Sequence, residues 1–364
     1  LEEGFQRIDD LISWCERHEI WVLLDLHGAP GGQTGTNIDD SPNGKPELFM
    51  EGRWRGLTIR LWEEIARRYR YETVVLGYDL LNEPLPNEWQ HTYAAELAQL
   101  YRDLTTAIRR IDPDHLLMYE GAHWATNWDI FTEVWDPNSA LQFHRYWCPP
   151  DESSIDEYLE ARERLGLPIY MGEGGENTPE WIYTAHRLYE RHDIGWNFWP
   201  WKKLATRTSP VSAPKPDRWH LIADPMASPE ADVAWDVLTE FLDAVALPHC
   251  VENTPVINAM FGRTPLQIPA WAHAPLEGNE TRHLHALGET TRWHHTAGEP
   301  YSADETLEIP LARDETLRFP LETEPGQWVI DAVNAEQLSA SWGEGEVVVR
   351  ATGSARLRSI TVHP

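Results

Sequence analysis

The chain has 364 residues, enough for a large domain with a smaller partner and for a sizeable buried core. Its 59 Asp and Glu against 30 Lys and Arg leave a formal net charge of −29, which argues against nucleic acid and anionic membrane as partners, since both need a basic face. No run approaches the roughly 18 apolar residues of a membrane span, and Cys15, Cys148 and Cys250 are too few and too scattered for a disulfide framework or a zinc site.

Phe5, Ile8, Leu11, Ile12 and Cys15 recur at helical spacing, so the chain opens on a helix with Cys15 as a small core hydrophobe. No signal peptide is visible and the first residue is not Met, so an upstream segment is expected. The compartment stays open, with secretion favoured over the cytoplasm. Residues Ile20 to Leu26 follow as a near-continuous apolar strand, the pattern of a parallel sheet covered on both faces. A loop rich in Gly, Pro, Asn and Asp runs from His27 to about Gly52, and Trp54, Leu57, Leu61 and Ile65 then mark a helix.

The alternation continues with a strand at 74–78 and a helix carrying Tyr93, Leu97, Leu100, Leu104 and Ile108. A strand at 116–119 precedes a helical turn near Trp128 to Trp135, and a strand at 140–143 precedes a helix around 155–165. A strand at 168–171 precedes a helix from about Pro179 to Arg191. A strand at 195–199 then leads through a loop to a last helix with Val233, Val237, Leu238 and Phe241. Strands alternating with helices mean βα units, and the fold class is α/β: a (β/α)8 TIM barrel over residues 1–247. Only six strands can be read and the first helix has no strand before it, so the simplest account places the first two strands upstream of residue 1. From 251 to 364 short β-like runs such as Leu317-Arg318-Phe319, Trp328-Val329-Ile330 and Val347-Val348-Val349 alternate with Gly, Pro and Asp turns, as in a small β-sandwich. The join through Leu247-Pro248-His249-Cys250 is short and not Gly/Ser-rich, so this domain is expected to pack against the barrel.

In a parallel barrel the catalytic groups sit at the C-terminal ends of the strands. Here those ends carry Asp25 and His27, Asn82 and Glu83, Glu120, His144 and Tyr146, Glu173, and Trp199. Two carboxylates on different strands are what glycosidic cleavage requires: one protonates the leaving oxygen, the other attacks or activates water. The 19 Trp add flat apolar faces with one N–H donor each, which suit sugar rings. Each residue also has a plainer reading. Asn82-Glu83-Pro84 could be a helix start, Glu173 a surface carboxylate, and His27 or His144 a satisfied buried histidine. The apolar strand before Glu173 and the glycines beside it favour close ligand approach instead. Glu176 is a weaker rival nucleophile, and Glu120 reads as a supporting or substrate-contacting group. His283 with His285, and His294 with His295, lack a surrounding ligand set and read as solvated turns, so neither a metal nor a cofactor is expected. Trp271, Trp293, Trp328 and Trp342 read as core ahead of polysaccharide contacts.

Five segments together resemble glycoside hydrolase family 5, the family of cellulases, exo-β-1,3-glucanases and related β-glycanases. They are Leu24-Asp25-Leu26-His27-Gly28-Ala29-Pro30-Gly31-Gly32-Gln33, Leu81-Asn82-Glu83-Pro84, Phe143-His144-Arg145-Tyr146-Trp147, Met171-Gly172-Glu173-Gly174-Gly175-Glu176-Asn177 and Trp196-Asn197-Phe198-Trp199-Pro200-Trp201-Lys202-Lys203. The resemblance covers about Leu1 to Ala246. It implies Glu83 as acid/base after the fourth barrel strand and Glu173 as nucleophile after the seventh. It also implies Asn82 on the sugar 2-hydroxyl, His27 at the cleavage subsite, His144 and Tyr146 around the carboxylates with Tyr146 touching the nucleophile, and Trp199 as stacking platform. Two departures stand out: the family's arginine at the end of the second strand has no counterpart, and Gly174-Gly175 replace bulkier residues. The resulting expectation is a retaining hydrolase of β-glucosidic bonds in oligo- or polysaccharides. Alternatives are a transglycosylase with the same residues and a non-catalytic sugar-binding barrel, against which the presence of both carboxylates speaks. The acid-rich, Lys-poor composition fits salt adaptation.

Overall fold

The computed structural model describes residues 2–39, 41–274 and 308–364; the two histidine pairs at 283–285 and 294–295, and Trp293, lie outside the described residues. The elements run α1 (Glu2–Arg17), β1 (Val22–Asp25), α2 (Glu47–Met50), α3 (Gly52–Tyr69), β2 (Val75–Asp79), α4 (Trp89–Thr92), α5 (Ala94–Arg109), β3 (Leu116–Glu120), β4 (Ser139–Arg145), α6 (Asp156–Leu165), β5 (Ile169–Gly174), α7 (Pro179–Arg191) and β6 (Gly195–Trp196). The chain forms two compact units. The first comprises Leu1–His144 and Asp156–Gly172, the second Arg145–Ile155 and Glu173–Pro364, so the join near residue 250 lies inside the second unit.

Strands β1 to β6 are hydrogen-bonded in chain order, the arrangement that successive right-handed βα units produce. The pairs β1/β2, β2/β3 and β3/β4 are parallel, with Asp25 opposite Asp79, Asp79 opposite Met118, and Glu120 opposite Gln142. That register sets the strand-end polar groups in neighbouring rows. Six of the seven residues of β4 are buried, as expected for a strand covered on both faces. Helices α3 and α5 pack side by side, and Trp62, Tyr69, Tyr101 and Tyr119 are among the largest sealed side chains. The Trp62 indole N–H donates to the Leu80 carbonyl at 3.1 Å, which lets the ring be buried without an orphaned donor. Cys15 is half-buried on α1 and not part of its sealed face, which is Phe5 and Ile12.

The helical turn expected near 128–135 is absent. Gly121 bridges Ala125 and Ala122 bridges Asn127, with His123, Trp124 and Ala125 at positive φ, and this tight reversal is followed by turns. The aromatics of this segment serve ring packing: Trp128, Phe131 and Trp135 lie against one another and against Tyr101, Tyr119, Phe143 and Tyr158. The strand expected over 195–199 is confined to two residues, and pairing resumes as a single bridge from Gly175 to Trp199.

The second unit continues with β7 (Lys202–Leu204), β8 (Val211–Ala213), α8 (His220–Ala223), α9 (Ala231–Ala244), β9 (Val251–Glu252), α10 (Thr254–Phe261) and β10 (Leu266–Pro269). It closes with β11 (Ile309–Leu311), β12 (Thr316–Pro320), β13 (Gln327–Val333), β14 (Leu338–Gly343), β15 (Glu346–Ala351) and β16 (Ala355–His363). Antiparallel pairing makes one sheet of β10, β16, β11 and β13 and another of β12, β15 and β14, the two sheets of the sandwich-like region. The small β7-β8-β9 sheet was not visible in the sequence pattern. Helix α7 packs on α10 and β10, with the Tyr183 hydroxyl donating to the Pro320 carbonyl at 2.7 Å and Arg187 to the Met260 carbonyl at 2.8 Å. Trp271 is buried, and Trp328 and Trp342 are half-buried. Among the described residues no helix is long and apolar enough to cross a membrane.

Candidate active site

In the first unit, pairing runs on past the ends of β1 and β2: the Leu26 N–H donates to the Asp79 carbonyl and the Asn82 N–H to the Leu26 carbonyl. The chain then turns sharply. Glu83, Leu85 and Asn87 have φ of 47°, 53° and 51°, each non-glycine in the left-handed region. Such residues cost about 1–3 kcal/mol apiece and persist only where their surroundings hold them. Gln33, fully buried, is one such hold. Its Nε2 donates to the Asn82 carbonyl at 3.0 Å and to the His27 carbonyl at 2.8 Å, its Oε1 accepts the Ala29 N–H, and its own carbonyl accepts the Leu85 N–H at 3.1 Å.

Glu120 is the other. Its Oε2 accepts the Glu83 N–H at 2.6 Å and its Oε1 accepts from Gln142 Nε2 at 2.7 Å. Gln142 and His144 sit two apart on β4 and so share a face. His144 Nδ1 lies 2.9 Å from Glu83 Oε1, and His144 Nε2 lies 3.2 Å from Gln142 Nε2 and 3.4 Å from Glu120 Oε1. Burial pushes the Glu120 carboxyl above the usual range, while His144 and the Glu83 N–H pull it back. Asn82 is buried beside Glu83, and His27 Nε2 is 2.6 Å from Asp25 Oδ2. Asp25, Asp79 and Glu120 offer carboxylate oxygens all within 4.8 Å of one another, a group that could hold a cation, although both Glu120 oxygens already accept hydrogen bonds.

In the second unit Glu173 lies within β5 and is only 8% exposed. The Tyr146 hydroxyl donates to Glu173 Oε2 at 3.0 Å. Of the two glycines that follow Glu173, Gly175 has a steric reason. The Gly174 carbonyl accepts the Trp199 N–H at 2.9 Å, and Gly175 has φ of 140°, where a Cβ would sit 2.6 Å from the Trp199 carbonyl oxygen. Close approach of two backbones therefore demands glycine here. Trp199 leaves 40% of its surface exposed. Glu176 pairs with the Lys203 ammonium. That ion pair gives Glu176 a local role.

Residues 2–204, more than half of the chain, match the model of the cellulase family, glycosyl hydrolase family 5. The chain belongs to that family. The chain is similar to a β-xylosidase of Phanerodontia chrysosporium, 35% identical over 239 residues that cover 56% of this chain and 49% of the relative. It is also similar to a probable glucan 1,3-β-glucosidase A of Aspergillus fumigatus, 32% identical over 187 residues, 50% of this chain and 43% of the relative. The chain thus spans about half the length of the curated relatives it matches. Among solved structures, endoglucanase Cel5A from the hyperthermophilic Thermotoga maritima is similar with a TM-score of 0.48 and 17% identity, over 71% of this chain and 78% of that one.

Membership of family 5 does not by itself single out Gln33, Gln142 or Asp79, and sequence reasoning passed over all three. For Gln142 and Asp79 a signal was present: each is a polar residue in an otherwise apolar strand run, whereas Gln33 lies in the loop after β1.

Proposed function

We propose that this family 5 chain hydrolyses β-glucosidic bonds in β-glucans or their oligosaccharides with retention. Glu173 carboxylate attacks the anomeric carbon as the bond to the leaving oxygen breaks, and Glu83 passes its proton to that oxygen. Glu83 then takes a proton from water, whose oxygen attacks the anomeric carbon and releases Glu173. The observation that carries this reading is that each carboxylate stands at its strand end with its own polar partners: Glu83 with His144 and the Glu120-bound N–H, Glu173 with the Tyr146 hydroxyl. A nucleophile must remain ionised, and a hydroxyl donor favours that form. Asn82 and His27 supply polar contacts for sugar hydroxyls, and the part-exposed Trp199 supplies a stacking platform. The relatives' names share β-linked sugars while differing in sugar and linkage, which supports a β-glycosidic substrate.

The test is chemical rescue. Glu173→Ala should abolish turnover of an aryl β-glucoside, and added azide should restore consumption with release of a glycosyl azide of inverted anomeric configuration. Wild-type turnover in Glu173→Ala, or an azide product of retained configuration, would remove Glu173 from the role. A glycan panel assayed with this chain would then fix the linkage.

A further inference from the structure

Glu120 is sealed from solvent, and the two-step reaction gives it no bond to make or break. Yet both of its oxygens are committed toward Glu83. One accepts the Glu83 N–H at the first of three left-handed residues, where the backbone would otherwise relax. The other holds the Gln142 amide, and both the Gln142 amide and that same oxygen lie against His144 Nε2, with His144 Nδ1 on the Glu83 carboxyl. Gln142 has little freedom to move aside, because it packs on Gly172, where even a Cβ would overlap its side-chain amide. The Tyr101 hydroxyl donates to the Glu120 carbonyl at 2.9 Å and fixes the end of β3 from behind.

We propose that Glu120 is a positioning residue for the acid/base: it aims the Glu83 carboxyl by holding its backbone N–H and, through Gln142, the ring of His144. The inference rests on Glu83 being the acid/base. A proton donor turned even slightly out of line loses much of its effect on a leaving oxygen that needs the proton, and none on one that does not. Loss of Glu120 should therefore be felt selectively.

Two substrates separate the cases. Phenyl β-glucoside has a basic leaving group that needs protonation, whereas 2,4-dinitrophenyl β-glucoside departs unaided. Glu120→Gln keeps the side-chain size but leaves one acceptor oxygen where there were two. Its kcat/KM should fall about 10- to 100-fold on the phenyl glucoside and stay within about threefold of wild type on the dinitrophenyl glucoside. Gln142→Met leaves the hold on the Glu83 N–H intact and cuts the link to His144; it should show the same split, at about 3- to 10-fold. It also carries the test should Glu120→Gln fail to fold. Equal losses on both substrates, or no loss on the phenyl glucoside, would make Glu120 a purely structural residue and overturn the proposal. Glu83→Ala keeps the two claims apart. If it slows both substrates equally, Glu83 is not the acid and the underlying reading fails. If it shows the split while the Glu120 and Gln142 variants do not, this inference alone fails.

Discussion

His186 lies on α7 with no exposed surface, its Nδ1 donating to the Ile182 carbonyl at 2.7 Å and its ring edge-on to Trp196 at 4.3 Å between centroids. Burial drives its pKa down to about 3. A depressed folded value means the folded state binds fewer protons than the unfolded one, whose histidine titrates near ~6.5. Stability from this site is therefore complete above pH ~6.5 and is lost as the pH falls toward about 3. His186→Phe should remove that dependence. Between pH 7 and pH 4, urea unfolding of the wild type should lose roughly 2–3 kcal/mol more than the variant does. Equal losses would show that His186 is protonated in the fold. The same scale shows why some candidate residues stood out in the sequence and others did not. Glu83 and Glu173 each close an apolar run at the end where barrels place chemistry, and that pattern is local. Gln33 and Gln142 matter through partners 49 and 22 residues away, and no window of sequence displays such a pairing.

Helix α7 was expected from about Pro179 to Arg191 and spans those residues, and its start is chemically marked. Thr178 is the N-cap, its side chain accepting the Trp181 N–H, and Pro179 follows at the first helical position. Thr178 is itself buried, and its N–H is held by Asn177 Oδ1 at 2.8 Å, four residues after Glu173. Thr178→Ala should destabilise the protein by about 1 kcal/mol, measured as a lower urea midpoint, while Thr178→Ser should be close to wild type. No difference between the two would mean the cap is spare. The expected helical turn at Trp128 to Trp135 shows the opposite case. Its aromatics have helix-like spacing, but the reversal at Gly121 to Asn127 and the ring-on-ring packing decide the conformation, and neither leaves a periodic signature. The three-stranded β7-β8-β9 sheet was equally hidden, since strands of two or three residues are too short to show alternation.

For the molecule as a whole, the net charge of −29 is spread over 59 acidic residues with only 30 basic ones to answer them. Like charges confined to one surface repel, and salt screens that repulsion over about 10 Å at 0.1 M and less at higher concentration. The melting temperature should therefore rise between low and molar sodium chloride; a flat or falling trend would remove salt adaptation as the meaning of the composition. The α/β class and the β-rich C-terminal region were both open to reading, because they rest on long-range alternation of pattern and not on any single contact. Gln33 has a consequence at this scale as well. By tying the segment after β1 to the turn at Asn82 to Leu85, it makes the left-handed geometry at Glu83 depend on chain closure over 49 residues. A partly folded chain in which β1 has come away would keep β2 and its apolar core, yet Glu83 would relax out of line. On the proposed role of Glu83, such local opening would disarm the acid/base while the fold as a whole persists.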